Sequence, residues 1–208
     1  MSEKQLAVID DDEAVRDSLI WLFDGQGFQT TGFDSAEAFL AGPGPAAFNV
    51  LIVDLRLSGI SGIVLLERLA EHPYCPPVIM LTAHGDVPHA VAALKLGAID
   101  FMEKPFDDSR LLAMVDQALL RDQQERDRFG RLSRLNQSLA LLTEREREVM
   151  QLILVGKLNK QIADELAISM KTVEVHRSRV FDKMGVKSAV ELAGLMAALD
   201  KPDAGSKG

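Results

Sequence analysis

LAVIDDD (6–12) and VLIVD (50–54) decide the fold of this chain. Each is a short, nearly continuous apolar run that stops at a carboxylate. Strands buried on both faces of a parallel sheet have this appearance, because neither face alternates with water. PVIML (77–81) and the shorter AIDFM (98–102) repeat the pattern, and FQTTGF (28–33) is the remaining strand candidate. Between them the apolar period lengthens to that of helices, near 14–26, 35–41, 61–71 and 87–96 and again from about 108. Strand–helix alternation repeated five times predicts an α/β domain, a doubly wound five-stranded parallel sheet. Such sheets bind ligands beyond the carboxyl ends of their strands.

The chain has 208 residues, which suits one large domain or two small ones. Its single cysteine, Cys75, excludes a disulfide framework and a Cys-rich zinc site. No stretch approaches eighteen consecutive apolar residues, and MSEKQLAVIDDD does not have the build of a signal peptide. A reducing, cytoplasmic location is therefore expected. Charge is unevenly spread. Residues 1–120 hold 7 Lys+Arg and 18 Asp+Glu, a balance of −11, whereas residues 121–208 hold 16 and 13, a balance of +3. The acidic half repels nucleic acid and the other half can approach it.

Strand one ends in Asp10, Asp11 and Asp12, and strand three ends in Asp54. In a parallel sheet these groups share one edge, where they repel one another unless a cation lies between them. Hard oxygen donors favour Mg²⁺, which keeps much of its water and needs only one or two carboxylates. Strand four brings Thr82 to the same edge, and strand five leads to Glu103-Lys104-Pro105. Carboxylates, a hydroxyl and an ammonium together suit phosphoryl transfer to an aspartate. Each part alone has a plainer reading, as a solvated turn, a cap or a loop. A Mg²⁺-dependent phosphatase with an Asp nucleophile is the alternative. It would want a second carboxylate two residues on, where this chain has Arg56.

VIDDD, LIVDLRL followed by G and SG, IMLTAHGD and GAIDFMEKPF resemble, in order and spacing, the receiver domains of two-component response regulators over about residues 5–120. The resemblance implies a flavodoxin-like receiver with Asp54 as phosphoacceptor. It implies Mg²⁺ held by Asp54, by Asp11 directly, by Asp10 through water and by the carbonyl of Arg56. Lys104 would bind the phosphoryl group, ahead of a cis bond to Pro105, and Thr82 and Phe101 would form the switch pair. Leu57-Ser58 stands where the family usually has Met-Pro. That departure is expected to loosen the loop after Asp54 without removing a ligand.

Residues 121–141 predict a charged helical linker, with Asp122–Arg126 and Asp127–Arg131 as i,i+4 pairs and Gly130 and Ser133 as candidate breaks. The second domain is expected over 142–200, with helices near 144–155, 159–166, 170–184 and 188–199, followed by a disordered tail at 201–208. Thr143 and Glu146 match a capping box, Gly156 a helix stop and Ser169 a cap. In the third helix Val173, Val180 and Met184 fall near one face, with Lys171, Glu174, Val175, Ser178 and Arg179 roughly opposite and Thr172 near its start. Such a mixed face offers donors, an acceptor and a methyl contact to base edges. A plain helical bundle with solvated charges is the competing reading. Lys160 is either a phosphate contact or a surface residue. His176 is taken as a satisfied histidine at the helix flank.

LTEREREV, NKQIADEL and KTVEVHRSRVFDKMGV resemble the LuxR-type helix-turn-helix at the C-terminus of NarL/FixJ response regulators, over about 140–199. The resemblance implies that helix 170–184 enters the major groove. It also implies that helix 188–199 presents Val190, Leu192, Leu195 and Met196 to the core or to a second protomer. Expected partners are a sensor histidine kinase, double-stranded promoter DNA, RNA polymerase and, on phosphorylation, a second copy paired through roughly residues 86–103. A receiver serving only as a protein–protein adaptor is the alternative.

Overall fold

A computed structural model describes residues 4–83 and 87–197, leaving aside the side chains at 87, 88 and 90. The chain divides into two compact units, Met1–Asp127 and Arg128–Gly208.

In the first unit, β1 (Lys4–Ile9), β2 (Phe28–Phe33), β3 (Val50–Asp54), β4 (Val78–Thr82) and β5 (Asp100–Glu103) form one parallel sheet in the order β2-β1-β3-β4-β5. The central strands β3 and β4 are buried at every position, as their unbroken apolar runs require. Alternate side chains feed two cores. One holds Ala7, Ile9, Leu51, Val53 and Met80, with Leu65 and Leu69 of α3 (Gly62–Ala70) and Ala93 of α4 (Val87–Lys95). The other holds Leu6, Val8, Ile52, Ile79 and Leu81, with Leu19 and Phe23 of α1 (Glu13–Asp24) and Leu111 and Val115 of α5 (Asp108–Ala140). A five-residue helix, α2 (Ala36–Leu40), and a 3₁₀ turn at Pro45–Ala47 complete this unit's described helices.

Helix α5 runs through Gly130 and Ser133, the candidate breaks. One glycine costs about 1 kcal/mol, which 33 residues of mostly strong helix formers absorb. The expected Asp122–Arg126 pair forms, at 2.8 Å, but Asp122 is buried rather than solvated. Its carboxylate accepts from Asn49 Nδ2 at 2.9 Å and from the Tyr74 hydroxyl. Arg126 lies over the Tyr74 ring and donates to the carbonyls of Ala46 and Phe48.

The second unit packs α6 (Glu144–Leu154), α7 (Asn159–Glu165), α8 (Met170–Met184) and α9 (Ala189–Ala197) around Val149, Ile153, Ile162, Val173, Val180 and Leu192. The three local signals act as expected. Thr143 and Glu146 form a reciprocal capping box. Ser169 Oγ accepts from Thr172 N–H at 3.0 Å, and Gly156 turns with φ +80°. In α9, Leu192 is fully buried and Leu195 and Met196 pack on the core, while Val190 is 82 % exposed. The expected tail at 201–208 lies outside the described residues.

Candidate functional site

The acidic triplet after β1 divides into three roles. Asp12 caps α1, its carboxylate accepting from the N–H groups of Ala14 and Val15. Asp10 is fully buried at the strand end, and Arg16 fixes its carbonyl at 2.8 Å. Asp11 is exposed and turns toward the loop after β3.

Asp54 ends β3, directly beside β1 and β4, so it meets Asp10 from one side. Oxygens of Asp10, Asp11 and Asp54 lie within 4.8 Å of one another. Lys104, one residue past β5, reaches back to this cluster. Its Nζ donates to Asp10 Oδ2 at 2.6 Å and also to Asp54 Oδ2. Burial raises the Asp10 carboxyl above the usual range; the Lys104 hydrogen bond opposes that, and the charge of Asp54 adds to it. Burial also works against the Lys104 ammonium, yet its hydrogen bonds to Asp10 and Asp54 prevail and hold it above the ordinary lysine value. Hydrogen bonds from Ser58 hold Asp11 below the usual range.

The remaining receiver residues fall at the same edge. The Arg56 N–H donates to Asp54 Oδ1 at 2.9 Å. Thr82 is buried at the end of β4, its hydroxyl donating to the Ala83 carbonyl at 3.2 Å. Phe101 is half-buried against the core. The bond from Lys104 to Pro105 is cis. Hard oxygen donors crowded at one edge, with a single ammonium among them, fit a divalent cation in chemistry. Asp10, Asp11 and Asp54 are carboxylates that could hold a metal ion.

The roles of three residues had escaped the sequence reading. Ser58 donates to Asp11 Oδ2 from both its N–H, at 3.0 Å, and its hydroxyl, at 2.5 Å. Glu37 accepts from the N–H of Ile60 at 2.9 Å. The loop after Asp54 is therefore held from two sides, not loosened by Leu57-Ser58. Gly62 opens α3 so close beneath β3 that a Cβ would stand 2.2 Å from the Asp54 carbonyl oxygen. The SG signal in the sequence marks that glycine, but only the packing gives its reason.

In the second unit Lys171, Glu174, Val175, Ser178 and Arg179 are exposed on α8, while Val173, Val180 and Met184 face the core. Lys171 pairs with Glu174 at 3.3 Å, and Thr172 Oγ1 lies 2.8 Å from Ser169 Oγ. Lys160 is exposed near the start of α7. His176 departs from expectation: its Nδ1 is enclosed without a hydrogen-bond partner. His72 and His89 join no metal-spaced group among the described residues, and His84 lies outside them.

A parallel sheet with this carboxylate–lysine edge, followed by a four-helix unit with an exposed mixed helix face, defines the response-regulator class. Residues 6–116 match the response regulator receiver domain family, and residues 140–196 match the bacterial regulatory proteins of the luxR family. The chain belongs to the response regulators of the NarL/FixJ subfamily and is a transcriptional regulator by that membership. It is 44 % identical to the transcriptional regulatory protein FixJ of Bradyrhizobium diazoefficiens over 188 residues, 90 % of this chain and 92 % of that one. It is 43 % identical to the C4-dicarboxylate transport transcriptional regulatory protein DctR of Rhodobacter capsulatus, over 89 % of this chain and 95 % of that one. Among solved structures, the response regulator StyR shares 39 % identity with a TM-score of 0.85, covering 94 % of this chain and 99 % of that one. Full-length FixJ from B. japonicum shares 40 % identity with a TM-score of 0.56, covering 95 % and 98 %. Among the described residues no helix is long and apolar enough to cross a membrane.

Proposed function

We propose that Asp54 accepts a phosphoryl group from a sensor histidine kinase and that this controls DNA binding by the second unit in the cytoplasm. The observation that carries the reading is Lys104 Nζ donating to Asp10 and Asp54 at once. An ammonium so placed neutralises charge beside the phosphoacceptor and is in reach of an arriving phosphoryl oxygen. Mg²⁺, held by Asp54, Asp11, the Arg56 carbonyl and, through water, Asp10, would supply the remaining neutralisation. The Thr82 hydroxyl would then take a phosphoryl oxygen, and Phe101 would follow it inward, with Pro105 fixing the approach of Lys104. Arg56 supplies no second carboxylate for hydrolysis of an external substrate, so the reading is a switch and not an enzyme.

The proposed division is a receiver to residue 120, a linker over 121–141 whose first turn is anchored by Asp122, and a DNA-binding domain over 142–200. Helix α8 would read the major groove through Lys171, Thr172, Glu174, Val175, Ser178 and Arg179, with Lys160 on phosphate. Phosphorylation would pair two receivers, and two linked domains on two half-sites bind far more tightly than one. RNA polymerase is the final partner. Asp54→Asn should take up no label from a small-molecule phosphodonor in Mg²⁺, and it should lose the phosphorylation-dependent gain in affinity for a two-half-site operator. Label retained on that variant would show that another residue is the acceptor. Lys160→Ala should weaken binding across sequences and lower the salt slope by about 1.

A further inference from the structure

We propose that Ser58 is a positioning residue that sets how readily Asp11 takes a divalent cation. The inference rests on the reading that Asp10, Asp11 and Asp54 hold Mg²⁺. Within the cluster, the chain supplies its own charge compensation. Lys104 gives its hydrogen bonds to Asp10 and Asp54 and reaches Asp11 only through its charge. Asp11 is served instead by Ser58, whose N–H and hydroxyl both point at one oxygen, Oδ2, at 3.0 and 2.5 Å. Two donors on one carboxylate oxygen draw off the charge that a hard cation needs. A cation ligated through that oxygen must also displace at least one of them.

The arrangement is held in place by its surroundings. Gly59, with φ +82°, turns the chain immediately after Ser58, and a Cβ there would stand 2.6 Å from Glu37 Oε1. Glu37 in turn holds the Ile60 N–H at 2.9 Å. Ser58 is thus presented to Asp11 by a pinned loop, and the same loop carries Arg56, whose carbonyl is the expected backbone ligand. The residue family usual at this position, proline, has no N–H and no hydroxyl, so neither bond would exist. Leu57-Ser58 is then a means of lowering the cation affinity of Asp11 rather than a neutral departure.

The test is a Mg²⁺ titration of the full-length protein by calorimetry, with wild type, Ser58→Ala, Ser58→Thr and Asp11→Asn compared. Ser58→Ala removes the shorter of the two bonds and keeps the N–H, so Mg²⁺ affinity should rise about three- to tenfold. Ser58→Thr keeps both donors and should match wild type, a rescue that a merely structural change in the loop would not give. Unchanged or weaker binding by Ser58→Ala, in a protein whose binding still depends on Asp11, would overturn the role of Ser58 alone. Wild-type protein that binds no Mg²⁺, or binding untouched by Asp11→Asn, would overturn the metal reading and Ser58 with it.

Discussion

Replacing Glu146 by alanine should destabilise the second unit measurably. It is only 2 % exposed, yet it is charged. Its Oε2 accepts from the Thr143 N–H at 2.9 Å and from Lys183 Nζ at 2.6 Å, while its own N–H donates to Thr143 Oγ1 at 3.3 Å. Lys183 also donates to the Leu141 carbonyl at 3.0 Å, so one ion pair ties the end of α8 to the start of α6. Glu146→Ala removes half of the capping box, about 1 kcal/mol. It also removes one partner of a buried ion pair, about 3–5 kcal/mol where the other partner is trapped. The Lys183 side chain is 31 % exposed and can turn to water, so the combined loss should be nearer 2–3 kcal/mol. For a domain of this size that lowers the unfolding midpoint by roughly 10–20 °C. Lys183 and the N–H of Thr143 hold the Glu146 carboxyl down at about 2, against 4.5 in the unfolded chain. A depressed acid stabilises the folded state above about pH 4.5 and loses that contribution as pH falls through about 2. Far-UV circular dichroism follows the helices, and peptide-resolved hydrogen exchange assigns the loss to residues 144–192. Trp21 and Tyr74 both lie in the first unit, so near-UV signals from them report the receiver and should not move. An Ala variant within about 0.5 kcal/mol of wild type, or equal destabilisation of the receiver, would refute the assignment.

Further outcomes follow from the same packing. Asp122→Ala removes the buried carboxylate that Asn49, the Tyr74 hydroxyl and Arg126 share, and should destabilise the receiver by about 2–4 kcal/mol, with exchange protection lost first over residues 117–127. Unaltered protection there would show that the buried cluster contributes nothing to holding α5. Leu158 stands at the N-cap of α7, 71 % exposed and without a side-chain cap. Leu158→Ser should therefore raise second-unit stability by about 0.5–1 kcal/mol in thermal melts, and a fall would mean that the leucine makes a contact of its own. Gly62→Ala must displace the Asp54 carbonyl, so phosphorylation by a small-molecule donor should slow at least about tenfold while the far-UV spectrum is retained. A normal rate would show that the strand end tolerates the shift.

The sheet was legible because β3 and β4 carry their burial in consecutive letters, and the helix caps at Thr143 and Ser169 were legible because donor and acceptor lie three residues apart. The carboxylate edge was legible for a related reason: parallel strands bring their ends together, so Asp10, Asp54, Thr82 and Lys104 needed only a topology. What escaped were contacts between distant loops. Ser58 meets Asp11 across 47 positions, and nothing in either segment alone marks the pair. The spacing of Asp122 to Arg126 predicted their i,i+4 pair but not the burial of the carboxylate. Its burial comes from Asn49 and Tyr74, which only the fold delivers. Val190 and Leu192 both looked apolar enough for an interior, and the helix's rotation about its axis separated them.

Helix α5 gives the receiver a mechanical continuity that neither end reveals alone. It begins a few residues after Lys104, the residue that bonds both buried carboxylates at the carboxyl edge of the sheet. Fourteen residues on, about 21 Å along a helix, stands Asp122. Its partner Asn49 immediately precedes β3 and exchanges hydrogen bonds with Gln5 of β1, at 2.7 and 2.9 Å. Asp122 is therefore fixed to the opposite edge of the same two strands whose far ends carry Asp10 and Asp54. A helix held at that end by a buried carboxylate, an arginine over an aromatic ring and two backbone carbonyls cannot rotate or slide freely there. The expectation to test is that a phosphorylation-linked change at the β5–α5 junction is taken up between residues 104 and 122. If Asp122→Asn lets phosphorylation alter exchange over residues 121–130 where wild type shows no change, the cluster is what confines the response to the receiver. If both proteins respond alike, the signal travels along α5 in spite of it.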